Sequence, residues 1–378
     1  MATTRPAAGG RVRVLGGFAA FGAFWGTWGA ALPAVQSHAR VDDGQLGVAL
    51  LCIGAGALVS MRLAGTLVDR WGPFALPATL AAFGAAAALP GLATSTGGLC
   101  TVLLALGATS GAVDVAINAE GTRTEAASGS PVLSLAHGTF SACVVIGSLA
   151  AGGLRAAGAG AELVLGLVGI AVVVVALGLW RVPTPGAAPA PARASLRHLP
   201  RLLLVLGALC ALAFFVENAW QSWGAVHLES DLDASPALGA LAPALFAGAA
   251  AVSRLGGHVL VGRFDEILIM RVGALAGAAG TLLAALAPAA ALALVGVAIA
   301  GAGISICAPI LFSIAGRSAD EAVRGAAVSI VTTIAYLGFL IGPAVVGLLA
   351  DATTLRASLA AAAAMALALA VLAGRARP

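Results

Sequence analysis

Long apolar runs separated by short polar breaks fill almost the whole chain. Within each run the apolar positions are continuous, which excludes a transmembrane β-barrel with its alternating pattern. Each run holds roughly 20 residues, the length that an α-helix needs to cross a bilayer. We therefore predict twelve membrane-spanning helices, at residues 14–36, 45–68, 74–93, 99–119, 132–154, 162–180, 202–226, 237–261, 267–287, 291–314, 326–349 and 357–374.

The composition agrees with this pattern and excludes a soluble fold. Hydrophobic residues make up 60% of the 378 residues, charged residues only 10%, and the mean hydropathy is +1.03. Soluble domains carry about 25% charged residues. We predict an all-α polytopic membrane protein whose partners are the lipid bilayer and a small-molecule substrate. We expect no nucleic-acid partner, because no cluster of cations lies on a soluble face, and we expect a monomer.

The arginines predict the orientation of the chain, which contains no lysine. If both termini are cytoplasmic, fifteen arginines fall in cytoplasmic segments, three outside and two within spans. Positive residues collect on the cytoplasmic side of membrane proteins. The first run, Val14 to Val35, is too long for a signal peptide and is expected to be retained. The sequence thus predicts a multi-pass protein of the bacterial plasma membrane with both termini in the cytoplasm.

The two halves of the chain repeat. Trp25-x-x-Trp28 in the first span recurs as Trp220-x-x-Trp223 in the seventh, an offset of 195 residues, and further pairs in spans five and eleven share that offset. A Pro-rich segment lies between the halves. We predict an N-terminal six-helix bundle over 1–181, a cytoplasmic linker over 182–200 and a C-terminal six-helix bundle over 201–378. Parallel repeats of this kind are typical of transporters.

The loop after the second span carries a recognisable motif. Residues 65–72 read Gly-x-Leu-x-Asp-Arg-x-Gly, although Pro73 and Phe74 replace the basic pair that closes the motif. With this motif the chain resembles the major facilitator superfamily over essentially its full length. Within it, Asp114-Val-Ala-Ile-Asn118, His137-Gly-x-Phe140-Ser141 and Glu217-x-x-Trp220-x-x-Trp223 are most similar to the branch near fucose permease. The resemblance implies two six-helix bundles around a central cavity and transport by alternating access.

The same loop is the candidate for a cytoplasmic gate. Asp69 lies at a helix end, where it can meet the N-terminal dipole of a neighbouring helix or an arginine of the other half. We expect Gly65 to permit close packing, Asp69 to act as a latch, and Arg70 and Gly72 to complete the gate. The alternative is a solvated turn that only sets topology.

Ionisable residues inside spans are the candidates for proton coupling, because a charge at a helix centre costs about 2.5–3.5 kcal/mol on insertion scales. Asp114 shares a face of span four with Asn118, and His137 shares a face of span five with Ser141. We expect Asp114 to bind a proton and His137 to be its partner. The alternatives are a structural hydrogen bond for Asp114 and a backbone bond for His137.

Glu217 in span seven is the best single candidate for a proton-coupling residue. It shares a helix face with Trp220 and Gln221 and lies in the outer half of its span. At 1.5 Å per residue, Glu217 and Asp114 should differ in depth by roughly 15 Å and should not pair directly. One acid on each side of the midplane suits alternating access.

Polar and aromatic residues within spans are the candidates for the substrate cavity. The tryptophans of the two repeats can stack on a solute ring, and packing or an interfacial belt is the alternative. Polar candidates lie on the same or neighbouring spans. The predicted cavity residues are Trp25, Trp28, Gln36, Asn118, Ser141, Trp220, Gln221 and Tyr336, with Trp223 as the partner of Trp220 in the motif.

These features predict a secondary active transporter of a small polar solute that uses a proton gradient and no cofactor. The chain has no Gly-x-x-x-x-Gly-Lys phosphate-binding loop, so ATP is not the direct energy source. Proton-antiport efflux of drugs or other apolar or cationic compounds is the alternative within transport. A non-transporting receptor or a membrane enzyme is the alternative of another class, although the histidines are too scattered for a catalytic set.

Overall fold

The computed structural model describes residues 4–183, 200–320 and 323–377, so that 184–199 of the predicted linker lie outside the described residues. The described part is helical and contains no strand, which confirms the predicted all-α class. Its α-helices are α1 (Thr4–Ala39), α2 (Asp43–Trp71), α3 (Ala75–Ala87), α4 (Thr96–Ser128), α5 (Val132–Ala156), α6 (Ala161–Trp180), α7 (Arg201–Val226), α8 (Pro236–Gly239), α9 (Leu241–Val261), α10 (Glu266–Leu286), α11 (Ala290–Ile304), α12 (Cys307–Arg317), α13 (Arg324–Ala352) and α14 (Leu355–Leu372).

Within the described ranges, eleven helical segments are long and apolar enough to cross a membrane. One of them, Asp43–Leu92, has 50 residues and contains two of the twelve predicted spans. As a straight helix it would measure about 75 Å, more than twice the hydrocarbon core of a bilayer. Gly72, with φ of +53°, turns the chain between α2 and α3. Only glycine adopts such a φ readily. The turn at Gly72 divides this segment into two spans, so the eleven segments contain the twelve predicted spans.

The predicted span 291–314 is confirmed by the membrane-length segment Ala290–Arg317, but its helix is interrupted between α11 and α12. Ser305 and Ile306 form a turn at the break. Pro309 has no N–H to offer the carbonyl of Ser305 four residues earlier, and a proline inside a helix breaks or kinks it. Likewise, the seventh span does not end at Val226 but continues as a π-helical turn over His227–Asp231.

The contacts of the chain group into two compact units. The first unit comprises Met1–Asp42 and Val48–Ala190, and the second comprises Asp43–Gly47 and Pro191–Pro378. In the first unit, α1 packs closely against α5. A Cβ atom added to Gly26 would lie 1.9 Å from the carbonyl oxygen of Val144, and one added to Gly147 would lie 2.2 Å from that of Ala23. Only glycine allows the two backbones to approach so closely.

The second unit contains the equivalent seam between α7 and α13. A Cβ atom added to Gly338 would lie 1.9 Å from the carbonyl oxygen of Ala211, and one added to Gly342 would lie 3.1 Å from that of Phe215. Gly147 and Gly342 are the glycines related by the 195-residue offset. The repeated sequence positions therefore make the same kind of helix contact in each unit.

Replacing Gly26 by alanine is expected to destabilise the protein by about 1–3 kcal/mol, the range typical of overpacking in a core. The matched control is Gly166→Ala in α6, where an added Cβ meets no atom within 4 Å. Thermal unfolding in detergent can be followed by tryptophan fluorescence, because Trp28 on α1 is only 3% exposed in the folded protein. Equal unfolding temperatures for the two variants would contradict the close approach of α1 and α5.

Side chains on α7 hold the neighbouring helices where prolines interrupt their hydrogen bonds. Pro343 cannot donate to the carbonyl of Phe339, and Asn218 Nδ2 donates to that carbonyl instead. Trp223 Nε1 donates to the carbonyl of Pro343 itself, at 3.0 Å. The first bond satisfies a carbonyl of α13 that would otherwise lack a partner, and the second adds a further contact between α7 and α13.

The buried His227 makes the same kind of bond to α10. Pro288 leaves the carbonyl of Ala284 without a helical donor, and His227 Nε2 lies 3.1 Å from that oxygen. Because a carbonyl only accepts, Nε2 is the donor. The other ring nitrogen, Nδ1, lies 2.7 Å from Asp231 Oδ2. The π-helical turn at the end of α7 is thereby fixed to α10.

A buried ion pair lies in the first unit, between α1 and α4. Arg13 Nε donates to Glu120 Oε1 at 3.1 Å, and both side chains are only 2% exposed. Arg123, one turn along α4, donates from Nη2 to Glu120 Oε2 at 3.2 Å. Sequence reasoning used Arg13 only as a topology signal and missed this contact.

Arg13 also binds three main-chain oxygens in two further segments. Its Nη1 donates to the carbonyl of Leu179 at 2.9 Å and to that of Val182 at 3.2 Å, at the C-terminal end of α6. Its Nη2 donates to the carbonyl of Pro73, for which Pro77 has no N–H to offer. One guanidinium thus joins α1, α4, the end of α6 and the turn before α3.

Candidate functional site

The second unit holds an ion pair between two apolar helices, α7 and α9. Arg254 Nη2 donates to both carboxylate oxygens of Glu217, at 3.1 Å to Oε1 and 3.0 Å to Oε2. The Glu217 side chain is 14% exposed and that of Arg254 is 36% exposed. A hydrogen bond to a charged group is shorter and roughly twice as strong as a neutral one. As a pair, the two residues carry no net charge.

Arg254 connects this pair to the break between α11 and α12. Its Nε donates to the carbonyl of Ser305 at 3.3 Å, which is the carbonyl that Pro309 leaves without a helical donor. In transporters, interrupted helices place free backbone groups at substrate and ion sites. The carboxylate of α7, the guanidinium of α9 and the open carbonyl of the broken helix therefore form one polar cluster.

Gln221 completes this cluster on α7. Its Nε2 donates to Glu217 Oε1 at 3.3 Å, one helical turn away, as expected from their shared face. We name Glu217, Gln221, Arg254 and the carbonyl of Ser305 the α7–α9 cluster. It contains two of the residues predicted from the sequence, Glu217 and Gln221, and adds Arg254 and Ser305.

Sequence reasoning missed the role of Arg254, although the signal was present. In the sequence it is one of the two arginines that lie within predicted spans. An arginine at membrane depth is as costly as a carboxylate, and such residues pair with one another. Pairing each acidic residue with each basic residue inside the spans of the second half would have predicted Glu217 as the partner of Arg254.

In the first unit, the structure brings Asp114 and Asn118 together on α4. Asn118 Nδ2 donates to Asp114 Oδ1 at 3.2 Å and to the carbonyl of Asp114 at 2.8 Å. Both side chains are half-buried. His137 on α5 is exposed, and its ring packs edge-on against Phe18 with a centroid distance of 4.8 Å. The proton-coupling roles of Asp114 and His137 stay predictions.

Three of the four repeated tryptophans are packing residues in this structure, so their prediction as cavity residues is corrected. Trp220 and Trp223 are fully buried and Trp28 is 3% exposed. Trp220 Nε1 donates to Thr281 Oγ1 at 3.2 Å, and the Trp28 ring stacks on Phe24 at 6.3 Å. Rings enclosed in this way have no free face for a solute.

The remaining predicted cavity residues keep some exposure. The half-buried ones are Trp25, Gln36, Ser141 and Tyr336. The Trp25 ring meets Phe24 edge-on at 5.3 Å, and the Tyr336 ring meets Phe339 at 6.2 Å. Their contact with a solute stays a prediction.

The predicted gate residues lie at the end of α2. Asp69 and Arg70 are exposed in its last turn, Gly65 is half-buried one turn earlier, and Gly72 forms the turn itself. The gate function also stays a prediction.

A family model and a related protein both identify the chain as similar to transporters of one superfamily. The model of the Major Facilitator Superfamily matches residues 13–331. The chain is 31% identical to an uncharacterised MFS-type transporter of Yersinia pestis over 340 residues, which covers 87% of this chain and 85% of the relative.

Solved structures of transporters share the fold. The chain is similar to the nucleoside transporter NupG with a TM-score of 0.77 and 14% identity, over 97% of this chain and 98% of that one. It is also similar to a D-xylose–proton symporter with a TM-score of 0.72 and 16% identity, again over 97% and 98%. These likenesses confirm the predicted fold, while the resemblance to the branch near fucose permease stays a prediction.

Proposed function

Since the chain belongs to the Major Facilitator Superfamily, we propose that it is a secondary active transporter that couples a proton to a small polar solute by alternating access. The proton-binding group is Glu217, and its counter-ion is Arg254. Asp114 is the second proton-binding carboxylate, in the first unit. The protein works as a symporter in the bacterial plasma membrane, with both termini in the cytoplasm, and its gate is formed by Gly65, Asp69, Arg70 and Gly72.

The observation that carries this proposal is the ion pair between Glu217 and Arg254. While Glu217 is ionised, the carboxylate is held by two hydrogen bonds from one guanidinium nitrogen. A proton on Glu217 removes its charge and with it the attraction to Arg254. Proton uptake therefore removes this ionic contact between α7 and α9, and proton loss restores it. A pair with two states of this kind provides the differential interaction that a conformational cycle needs.

The placement of the pair in an apolar setting supports the same function. Ionisable residues within membrane-spanning helices mark ion pathways and proton relays. The chain shares its fold with a protein named D-xylose–proton symporter, so this architecture is compatible with proton symport.

Purified protein in vesicles, with a pH-sensitive dye inside, tests the proposal. We expect a solute gradient imposed from a panel of organic acids, sugars, nucleosides and cationic drugs to drive proton movement with the wild type. Glu217→Gln, which cannot exchange a proton, is expected to abolish this movement, and Asp114→Asn to weaken it. Unchanged solute-driven proton movement in both variants would show that the coupling assignment is wrong. Proton movement opposite to the solute would support antiport efflux instead of symport.

A further inference from the structure

Two of the three nitrogens of the Arg254 guanidinium, Nε and Nη2, donate hydrogen bonds, and the third, Nη1, is open. Its Nε is fixed on the carbonyl of Ser305, and its Nη2 is fixed on Glu217. Among the described residues, the two N–H groups of its Nη1 have no hydrogen-bond partner. The side chain is 36% exposed. The open donors are thus accessible and are carried by a group with a fixed position.

The exposed part of Arg254 must face water or a polar ligand. A guanidinium at membrane depth is not placed against lipid, because its charge cannot be solvated there. Arginine presents several N–H donors in one plane, which match the two oxygens of a carboxylate. Because Nη1 and Nη2 form one edge of that plane, a carboxylate that replaces Glu217 can take both nitrogens.

The charges of the cluster favour an anionic solute over a neutral one. With Glu217 ionised, the cluster is neutral. When Glu217 takes up a proton, the cluster carries one positive charge and an arginine without its counter-ion. A neutral solute would leave that charge uncompensated, whereas a carboxylate restores neutrality. A charged arginine within a spanning helix is costly without a partner, so protonation of Glu217 favours the binding of another anion.

We propose that the transported solute carries a carboxylate, which binds to Arg254 in exchange for Glu217. This inference rests on the proposed proton coupling at Glu217 and adds the chemical class of the substrate. In the loading step, Glu217 gains a proton from water and its hydrogen bonds from Nη2 break. The solute carboxylate then accepts hydrogen bonds from Nη1 and Nη2. On release, the anion leaves, Glu217 returns its proton to water and the ion pair forms again.

Binding to the full-length protein in detergent tests the proposal with pairs of probes that differ only in charge. Each small carboxylate, such as lactate or glucuronate, is compared with its neutral counterpart, lactamide or glucose, in mildly acidic and mildly alkaline buffer. The variants are Glu217→Gln, which imitates the protonated carboxyl, and Arg254→Gln. The control is Arg271→Gln, which removes an exposed arginine on α10 outside the cluster.

We expect carboxylates to raise the unfolding temperature of the wild type in acid and much less in alkaline buffer. Glu217→Gln should bind the same carboxylates in both buffers, at least about tenfold more tightly than the wild type does in alkaline buffer. Arg254→Gln should lose the effect, and Arg271→Gln should keep it. Equal stabilisation by the neutral counterparts, or no carboxylate binding by Glu217→Gln, overturns the anion site.

Different results would overturn the proton coupling at Glu217 and the carboxylate site at Arg254. If carboxylates bind to Glu217→Gln as expected but no proton moves with the solute in wild-type vesicles, the anion site stands and the proton coupling is wrong. If a neutral solute drives proton movement and binds to Arg254→Gln as well as to the wild type, the coupling stands and the carboxylate inference is wrong.

Discussion

Replacing Arg13 by alanine is expected to lower the free energy of unfolding by about 3–5 kcal/mol, the range found when one partner of a buried ion pair is removed. Both side chains of the Arg13–Glu120 pair are 2% exposed, so water cannot replace the lost guanidinium. The change also leaves the carbonyls of Leu179 and Pro73 without their side-chain donor. The measurement is unfolding in detergent followed by tryptophan fluorescence, to which the buried Trp28 on α1 contributes.

Two further variants separate the ion pair from general damage to α1. Arg11→Ala removes an exposed arginine two residues away and is expected to stay within about 0.5 kcal/mol of the wild type. Arg13→Met/Glu120→Met removes both charges and should recover much of the lost stability, because apolar replacements of buried ion pairs are often tolerated. If Arg13→Ala unfolds like Arg11→Ala, the buried pair is not formed in the native protein.

Replacing Arg254 by glutamine is expected to reduce proton-driven solute accumulation at least about thirtyfold, which corresponds to the loss of one side of a hydrogen-bonded charge pair. Glu217 loses both bonds from Nη2, and the carbonyl of Ser305 loses its donor. The Glu217 carboxylate then lies between apolar helices without a cation, so the state with an ionised Glu217 is disfavoured. Uptake into vesicles under an imposed pH gradient measures the effect.

A double variant distinguishes lost coupling from lost folding. Glu217→Gln/Arg254→Gln removes both charges and is expected to unfold at a higher temperature than Arg254→Gln alone, because no unpaired charge remains. It should nevertheless fail to accumulate solute. Recovery of proton-driven accumulation in the double variant would show that the pair serves only the stability of the second unit.

The membrane fold was predictable because it depends on local signals. The continuous apolar runs indicate spanning helices wherever they occur, and the turn at Gly72 is marked by a glycine between two runs. The 195-residue offset also predicted equivalent positions, and Gly147 and Gly342 do lie in equivalent helix seams. A backbone in lipid must satisfy its own hydrogen bonds, so few structures compete with the helix there.

The site was harder to predict, because its contacts join distant parts of the chain. Glu217 and Arg254 are 37 residues apart, and Arg13 and Glu120 are 107 apart. An interpretation that takes one span at a time cannot predict these pairs, because the two residues of each pair lie on different helices. Trp220 shows the opposite error: its repeat with Trp25 suggested a common role, yet Trp220 is fully buried and bonded to Thr281, whereas Trp25 is half-buried. Position in a repeat predicts depth and helix face, but the neighbouring helix decides burial.

Proline positions offer a rule that could have found part of the site. A proline inside a helix or just after its end has no N–H for the carbonyl four residues earlier. In the second unit three such carbonyls, those of Phe339, Ala284 and Ser305, accept hydrogen bonds from side chains. The donors are Asn218 on α7, His227 in the π-helical turn after it and Arg254 on α9. Searching the sequence for such prolines and for polar residues on facing spans would have marked Ser305 as a contact.

Solute exchange by the Glu217→Gln variant tests the central claim, that Glu217 exchanges the coupling proton while Arg254 holds the solute. Vesicles are loaded with unlabelled substrate, and entry of labelled substrate is measured with and without a pH gradient. The variant is expected to retain exchange, because a neutral side chain at 217 leaves Arg254 free for the solute, and to lose accumulation driven by the gradient. Gradient-driven accumulation at the wild-type level in Glu217→Gln would contradict the claim.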